Sequence, residues 1–77
     1  MYEDIMVMFC PSCLKKMVNS NTSVEEQIKL CLRYSEENEI FKGYLILQGA
    51  LITLKTEGGC PSCITLIQRV SDMLIQA

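Results

Sequence analysis

The chain has 77 residues, with nine acidic and seven basic side chains, a formal charge of −2, and five cysteines without a single histidine. A domain of this size buries too little apolar surface for a wide stability margin, so a disulfide framework, a structural metal or a partner subunit is expected. The acidic balance speaks against a surface that tracks nucleic-acid phosphates. The longest apolar stretch, residues 43–54, is interrupted by Gln48 and Gly49 and falls short of the roughly 20 residues that a bilayer-spanning helix needs.

In chain order, the opening Met1-Tyr2-Glu3-Asp4 is acidic and has neither the basic nor the apolar region of a signal peptide. The expectation is a cytoplasmic or otherwise intracellular protein, in a reducing compartment where paired cysteines serve metal or redox chemistry. An odd cysteine count points the same way. Residues 5–9 form an apolar run that reads as a short strand entering Cys10-Pro11-Ser12-Cys13, and Asn19-Ser20-Asn21-Thr22 is a polar break. Ser23-Val24-Glu25-Glu26 has the form of a capping box and predicts a helix from Val24 to about Glu37. Its apolar face is Val24, Ile28, Cys31 and Leu32. Residues 44–47 and 50–54 are rich in strand formers and read as a hairpin about Gln48-Gly49. Both faces of the first of these strands are apolar, so helices or a second subunit must cover it. After Glu57-Gly58-Gly59, Cys60 stands at an N-cap position and Pro61 at the first helical position. The final helix continues to about Ile75 with Ile67, Val70 and Leu74 as its stripe.

Cys10-Pro11-Ser12-Cys13 recurs as Cys60-Pro61-Ser62-Cys63, while Leu14-Lys15-Lys16 and Ile64-Thr65-Leu66 behind them differ. This is a repeated chemical device within a single domain of residues 1–77, not a duplicated fold. Structural zinc prefers four soft ligands in a tetrahedron, and each Cys-x-x-Cys turn aims two sulfurs at one point. With no histidine in the chain, Cys10, Cys13, Cys60 and Cys63 are the candidate zinc ligands. Proline after the first cysteine stiffens each turn. The helix behind the second motif favours thiolate over thiol at its N-terminus. Forty-six residues separate Cys13 from Cys60, against roughly 15–20 in a compact zinc ribbon. Closing the longer loop costs only about 0.8 kcal/mol more, far below the roughly 10–16 kcal/mol that structural zinc contributes.

A Cys-Pro-Ser-Cys knuckle, a β-hairpin, and a second Cys-x-x-Cys opening a helix resemble, in their order, the treble-clef and zinc-ribbon-like zinc fingers with four cysteine ligands. The resemblance implies that Cys10 and Cys13 form the knuckle, that Cys60 and Cys63 ligate from the last helix, and that the helix from Val24 is an insertion. The order is also similar to that of the zinc domain of a viral oncoprotein family whose members dimerise. The expected fold is therefore α+β: strand, cysteine knuckle, helix, β-hairpin and C-terminal helix around one zinc ion.

Two other functions compete with a structural-zinc regulator or adaptor. Residues 5–9 running into Cys10-Pro11-Ser12-Cys13 resemble the strand–CxxC–helix opening of thioredoxins and glutaredoxins. That resemblance implies Cys10 as nucleophile and Cys13 as resolving thiol, yet residues 39–47 lack the proline these families place before a third strand. A nucleic-acid-binding zinc finger is the other competitor. Lys15, Lys16, Lys29, Arg33, Lys42, Lys55 and Arg69 are scattered, and no basic–aromatic cluster is interleaved among them. Ordinary solvated charge accounts for them better. No catalytic constellation is present, and four thiolates leave no open coordination position, so an enzyme is not expected. Cys31 reads as a core residue, and Met6, Met8, Met17 and Met73 as core or interface filler. A protein partner is expected, and the two-sided apolar segment 44–47 with the wide apolar last helix points to a homodimer.

Overall fold

The computed structural model describes residues 3–76, with side-chain surroundings defined from Ile5 to Gln76. Five helices follow one another: α1 (Glu3–Met6), α2 (Pro11–Leu14), α3 (Val24–Glu36), α4 (Ile40–Thr56) and α5 (Pro61–Gln76). The first two are single turns, and α3, α4 and α5 make the body. Among the described residues the only extended pairing is one isolated antiparallel bridge between Met17 and Ser23. The expected α+β treble-clef-like architecture is therefore overturned. The strand expected at residues 5–9 is the end of α1 and a turn, and the hairpin expected at 44–54 is the interior of α4.

Residues 44–54 do not form a hairpin because their core positions recur at helical spacing. Gly43, Leu47, Ala50, Leu51 and Leu54 are buried positions of α4, at i, i+4, i+7, i+8 and i+11. Gly43 permits a close approach to α3. A Cβ there would lie 3.0 Å from the Cys31 carbonyl oxygen and 3.4 Å from its Sγ. Gly49 is a helical position facing Val18 rather than a turn.

The helix from Val24 begins as expected. The Ser23 Oγ accepts from the Glu26 amide at 3.3 Å, and the Ser23 amide donates to the Glu26 carboxylate at 3.0 Å. Val24, Ile28 and Cys31 form its buried face. α3 and α4 end in the same way. Asn38 takes a left-handed conformation (φ 62°) after α3, and the Glu39 amide donates back to the Tyr34 carbonyl at 2.7 Å. Gly58 (φ 81°) follows α4, and the Gly59 amide donates back to the Leu54 carbonyl at 2.6 Å. Both are Schellman-type stops, closed by the two residue types best able to adopt that backbone. Each doubles the chain back, so α4 packs most extensively on α3 and next on α5.

The N-terminal segment packs on this body through buried Phe9 and Cys13, with Ile5, Met6, Leu14 and Val18 against the same core. Phe9 is buried, Val18 lies against Gly49, and Lys16 Nζ donates to the Glu57 carbonyl at 3.2 Å. The polar break closes as a tight loop in which the Val18 amide donates to the Thr22 carbonyl at 2.8 Å. Of the methionines read as core or interface filler, Met6 packs against the core, while Met8, Met17 and Met73 are exposed.

Candidate metal centre

The two Cys-Pro-Ser-Cys segments fold locally in the same way. Cys10 is the N-cap of α2 with extended backbone (φ −75°, ψ 145°), and its carbonyl accepts from the Leu14 amide. Cys60 precedes α5, and its carbonyl accepts from the Cys63 and Ile64 amides at 3.1 Å each. Proline follows each at a helical position where no amide is needed. The second cysteine of each pair then falls in the first turn, on the same side as the first. Cys10 and Cys13 thus sit on a helix start, not on the hairpin-type knuckle that the treble-clef resemblance implied.

The fold brings all four expected ligands together. The Sγ atoms of Cys10, Cys13, Cys60 and Cys63 lie within 4.8 Å of one another, and all five cysteines of the chain carry free thiols. The Cys10–Cys60 sulfurs are 3.8 Å apart and the Cys13–Cys60 sulfurs 3.7 Å apart. A tetrahedral ion with metal–sulfur bonds of about 2.3 Å has a sulfur–sulfur edge of about 3.8 Å. The spacing fits such an ion and is far too long for a disulfide, which needs about 2.05 Å.

Backbone amides complete the site in a reciprocal pattern. The Cys10 amide donates to Cys63 Sγ at 3.3 Å, and the Cys60 amide donates to Cys13 Sγ at 3.4 Å. Each motif therefore supplies a donor to the other motif's inner sulfur. Amide donors of this kind offset thiolate charge and orient the ligand. Neither bond is foreseeable from composition. The identity of the two tetrapeptides was the available signal, since it implies one shared local geometry.

The ligands divide into two classes by depth. Cys13 and Cys63 are each 2% exposed and belong to the hydrophobic core, whereas Cys10 and Cys60 are half-buried at its margin. Desolvation pushes the Cys13 thiol up and takes Cys63 to about 12. Cys10 moves the other way, to about 6, chiefly because the Ser12 hydroxyl lies 3.4 Å from its sulfur. In the metal-free chain the outer Cys10 thus ionises ahead of the inner pair. A metal ion must displace the thiol protons, so affinity rises with pH.

Cys31 stands apart. It is fully buried between α3 and α4 under Gly43, and burial raises its thiol to about 11 against a partly offsetting bond with Ser35. It lies outside the four-sulfur cluster. No helix is long and apolar enough to cross a membrane among the described residues. No protein-family model, curated protein or solved structure matches the chain.

Proposed function

We propose that Cys10, Cys13, Cys60 and Cys63 hold one zinc ion as a structural centre, and that the chain is a small protein-binding regulator or adaptor rather than an enzyme. The observation that carries this reading is the four-sulfur cluster, all within 4.8 Å, with Cys60 at 3.8 and 3.7 Å from Cys10 and Cys13. A tetrahedral all-thiolate set admits zinc or iron. Zinc suits a centre whose work is mechanical, because it brings no redox change. When bound it supplies a four-way crosslink. The chain's own residues do the rest: the two prolines set the turns, the Cys10 and Cys60 amides hold the inner sulfurs, and Phe9 seals the arm against the core.

Four protein ligands leave no position for substrate or water, which supports a structural over a catalytic role. The thioredoxin-like alternative loses its structural support, since the strand it requires before Cys10 is helix and turn. The test is native mass spectrometry of protein purified without added metal. One zinc per chain, lost to a chelator together with amide protection across residues 9–22, is the expected result. A metal-free chain that forms a reversible Cys10–Cys13 disulfide would overturn it in favour of thiol–disulfide exchange.

A further inference from the structure

α4 is apolar on every side. Of its 17 residues only Lys42 and Lys55 carry charge, and a helix of that composition is normally enclosed on all sides. Three of its sides are enclosed. Gly43 meets α3, Gln48 donates to Ser71 of α5 at 3.0 Å, and Gly49 meets Val18 of the N-terminal segment. The fourth side is not. Phe41, Leu45 and Ile52 are 70%, 53% and 60% exposed. They are spaced i, i+4 and i+11 on one helical stripe opposite the buried face, with Gln48 at the edge of the stripe and turned toward Ser71 of α5.

We propose that this stripe is a homodimer interface, in which α4 of one copy lies antiparallel against α4 of a second copy about a twofold axis. The proposal extends the reading of the chain as an interaction module, and it does not depend on the metal. Charge distribution names the occupant and sets the register. The end of α3 and the turn before α4 carry exposed Glu36, Glu37 and Glu39, while the other end of α4 carries exposed Lys55 followed by exposed Glu57. Among the described residues Lys55 has no ion-pair partner, Glu36 and Glu37 have none, and Glu39 pairs only with Lys42 at 3.7 Å.

Two antiparallel registers would bury the stripe. In the first, Phe41 of each copy meets Ile52 of the other, Leu45 meets Gln48, and Lys55 comes level with the acidic turn of the second copy at both ends. In the second, one turn away, Leu45 meets Ile52, but Lys55 comes level with Lys42 and faces a like charge. Lys55 level with Glu37 and Glu39 of the second copy, rather than with its Lys42, favours the first register, against the cost of Glu57 coming level with Glu36. A membrane surface is a poorer occupant. Interfacial helices flank their apolar face with many Lys and Arg side chains, whereas this stripe is flanked at its N-terminal end by three glutamates.

The experiment is sedimentation equilibrium on the full chain across a concentration series, with zinc content measured in the same samples so that a failed dimer is distinguishable from a failed metal centre. The wild-type chain is expected to be dimeric at micromolar concentration. Leu45→Glu raises the dimer dissociation constant about 100-fold or more, with helicity and zinc content retained. Lys55→Glu raises it about three- to tenfold, and more at low than at high salt. Isotope-filtered nuclear Overhauser spectra on mixed labelled and unlabelled chains test the register. Contacts from the Phe41 ring to Ile52 methyls between copies are expected, while Leu45–Ile52 contacts would overturn the register. A wild-type chain that stays monomeric up to about 100 μM, or a Leu45→Glu variant that dimerises normally, overturns the interface. Binding of the monomer to lipid vesicles, abolished by Leu45→Glu, would also overturn it.

Discussion

The two Cys-Pro-Ser-Cys segments are identical in sequence and alike in local form, yet one opens a helix of 4 residues and the other a helix of 16. The difference lies in the residues behind each motif. Behind Cys63, residues Ile64, Ile67, Val70 and Leu74 recur at helical spacing and pack on the core. Behind Cys13 a single core-packed residue, Leu14, is followed by Lys15-Lys16, and then by a segment whose side chains compete for the backbone, as where the Asn21 amide donates to Asn19 Oδ1 at 2.9 Å. The tetrapeptide makes the ligand geometry in both places without help from a long helix. Anchorage is separate: the second motif is held by a long helix, α5, against α4, while the first is held by short segments around Phe9, Cys13, Leu14 and Val18, by the Val24 amide donating to the Lys16 carbonyl, and by the proposed metal.

The largest effect that could break this asymmetry comes from removing the proposed zinc. Cys13→Ser and Cys63→Ser each forfeit most of the roughly 10–16 kcal/mol that structural zinc contributes, so both variants lose metal and most of their stability. Their exchange patterns nonetheless resolve the two sides. Under mild chelation, amides of residues 9–22 lose protection first, and those of the extensively packed α3–α4 pair lose it last. Hydrogen exchange in which α5 opens together with α2 would make the motifs equal anchors and remove the distinction.

A smaller effect sharpens the comparison at the entrance to each motif. The second is entered through Gly59, where a Cβ would lie 2.8 Å from both Cβ and Cδ2 of Leu54 and 3.0 Å from its carbonyl oxygen. Gly59→Ala must shift α5 relative to α4 and costs about 1–3 kcal/mol, with weaker zinc retention because Cys60 moves with the turn. Gly58→Ala meets open space but has φ 81°, and costs about 1 kcal/mol through backbone strain alone. Denaturant midpoints, read beside zinc affinity, separate the two. Only Gly59→Ala is expected to change the affinity.

How far this was legible follows the same division between local chemistry and anchorage. The four-sulfur cluster was legible because four cysteines in two identical short motifs leave few geometries, and α3 because the capping box Ser23–Glu26 and the face Val24, Ile28, Cys31 state the same helix twice. α5 was legible from Pro61 and the spacing behind it. α4 was not. Tyr44, Ile46 and Ile52 favour strands, and Gln48-Gly49 imitates a turn. A helix apolar on all sides also shows no clean period, so short apolar runs within it look like strands. The burial of Gly43, Leu47, Ala50 and Leu54 settles the matter only once α3 and α5 are in place. The knuckle implied for the first motif rested on the order of parts, and that order lost its hairpin when residues 44–54 proved to be helix.

Cys31 provides a third environment, that of a cysteine with no partner sulfur. Cys31→Ala is expected to leave one zinc per chain and to cost about 1 kcal/mol. Its thiol is raised from 9.0 to about 11 in the folded chain, so the folded state holds a proton that the unfolded state gives up first. The stability tied to that proton is complete below about pH 9 and is lost as pH rises through about 11. Wild-type zinc protein should therefore lose more stability between about pH 8 and about pH 10.5 than Cys31→Ala, measured by denaturant midpoint. Equal losses would mean that the thiol is not buried as described.

The smallest expected effect tests whether the two serines, alike in sequence, are alike in role. Ser12 Oγ lies 3.4 Å from Cys10 Sγ; the corresponding hydroxyl of Ser62 has no such bond to Cys60 among the described residues, and Ser62 is exposed. Ser12→Ala removes one hydrogen bond to the Cys10 thiolate and lowers zinc affinity about threefold in a chelator competition. Ser62→Ala leaves affinity unchanged. The ratio between the two variants is decisive, because both remove the same hydroxyl from the same tetrapeptide and differ only in the sulfur it can reach. Equal effects would place the serines in the turn itself, stiffening both motifs alike. A larger effect for Ser62→Ala would mean that the second motif, despite its longer helix, depends more on its own hydroxyl than the first does.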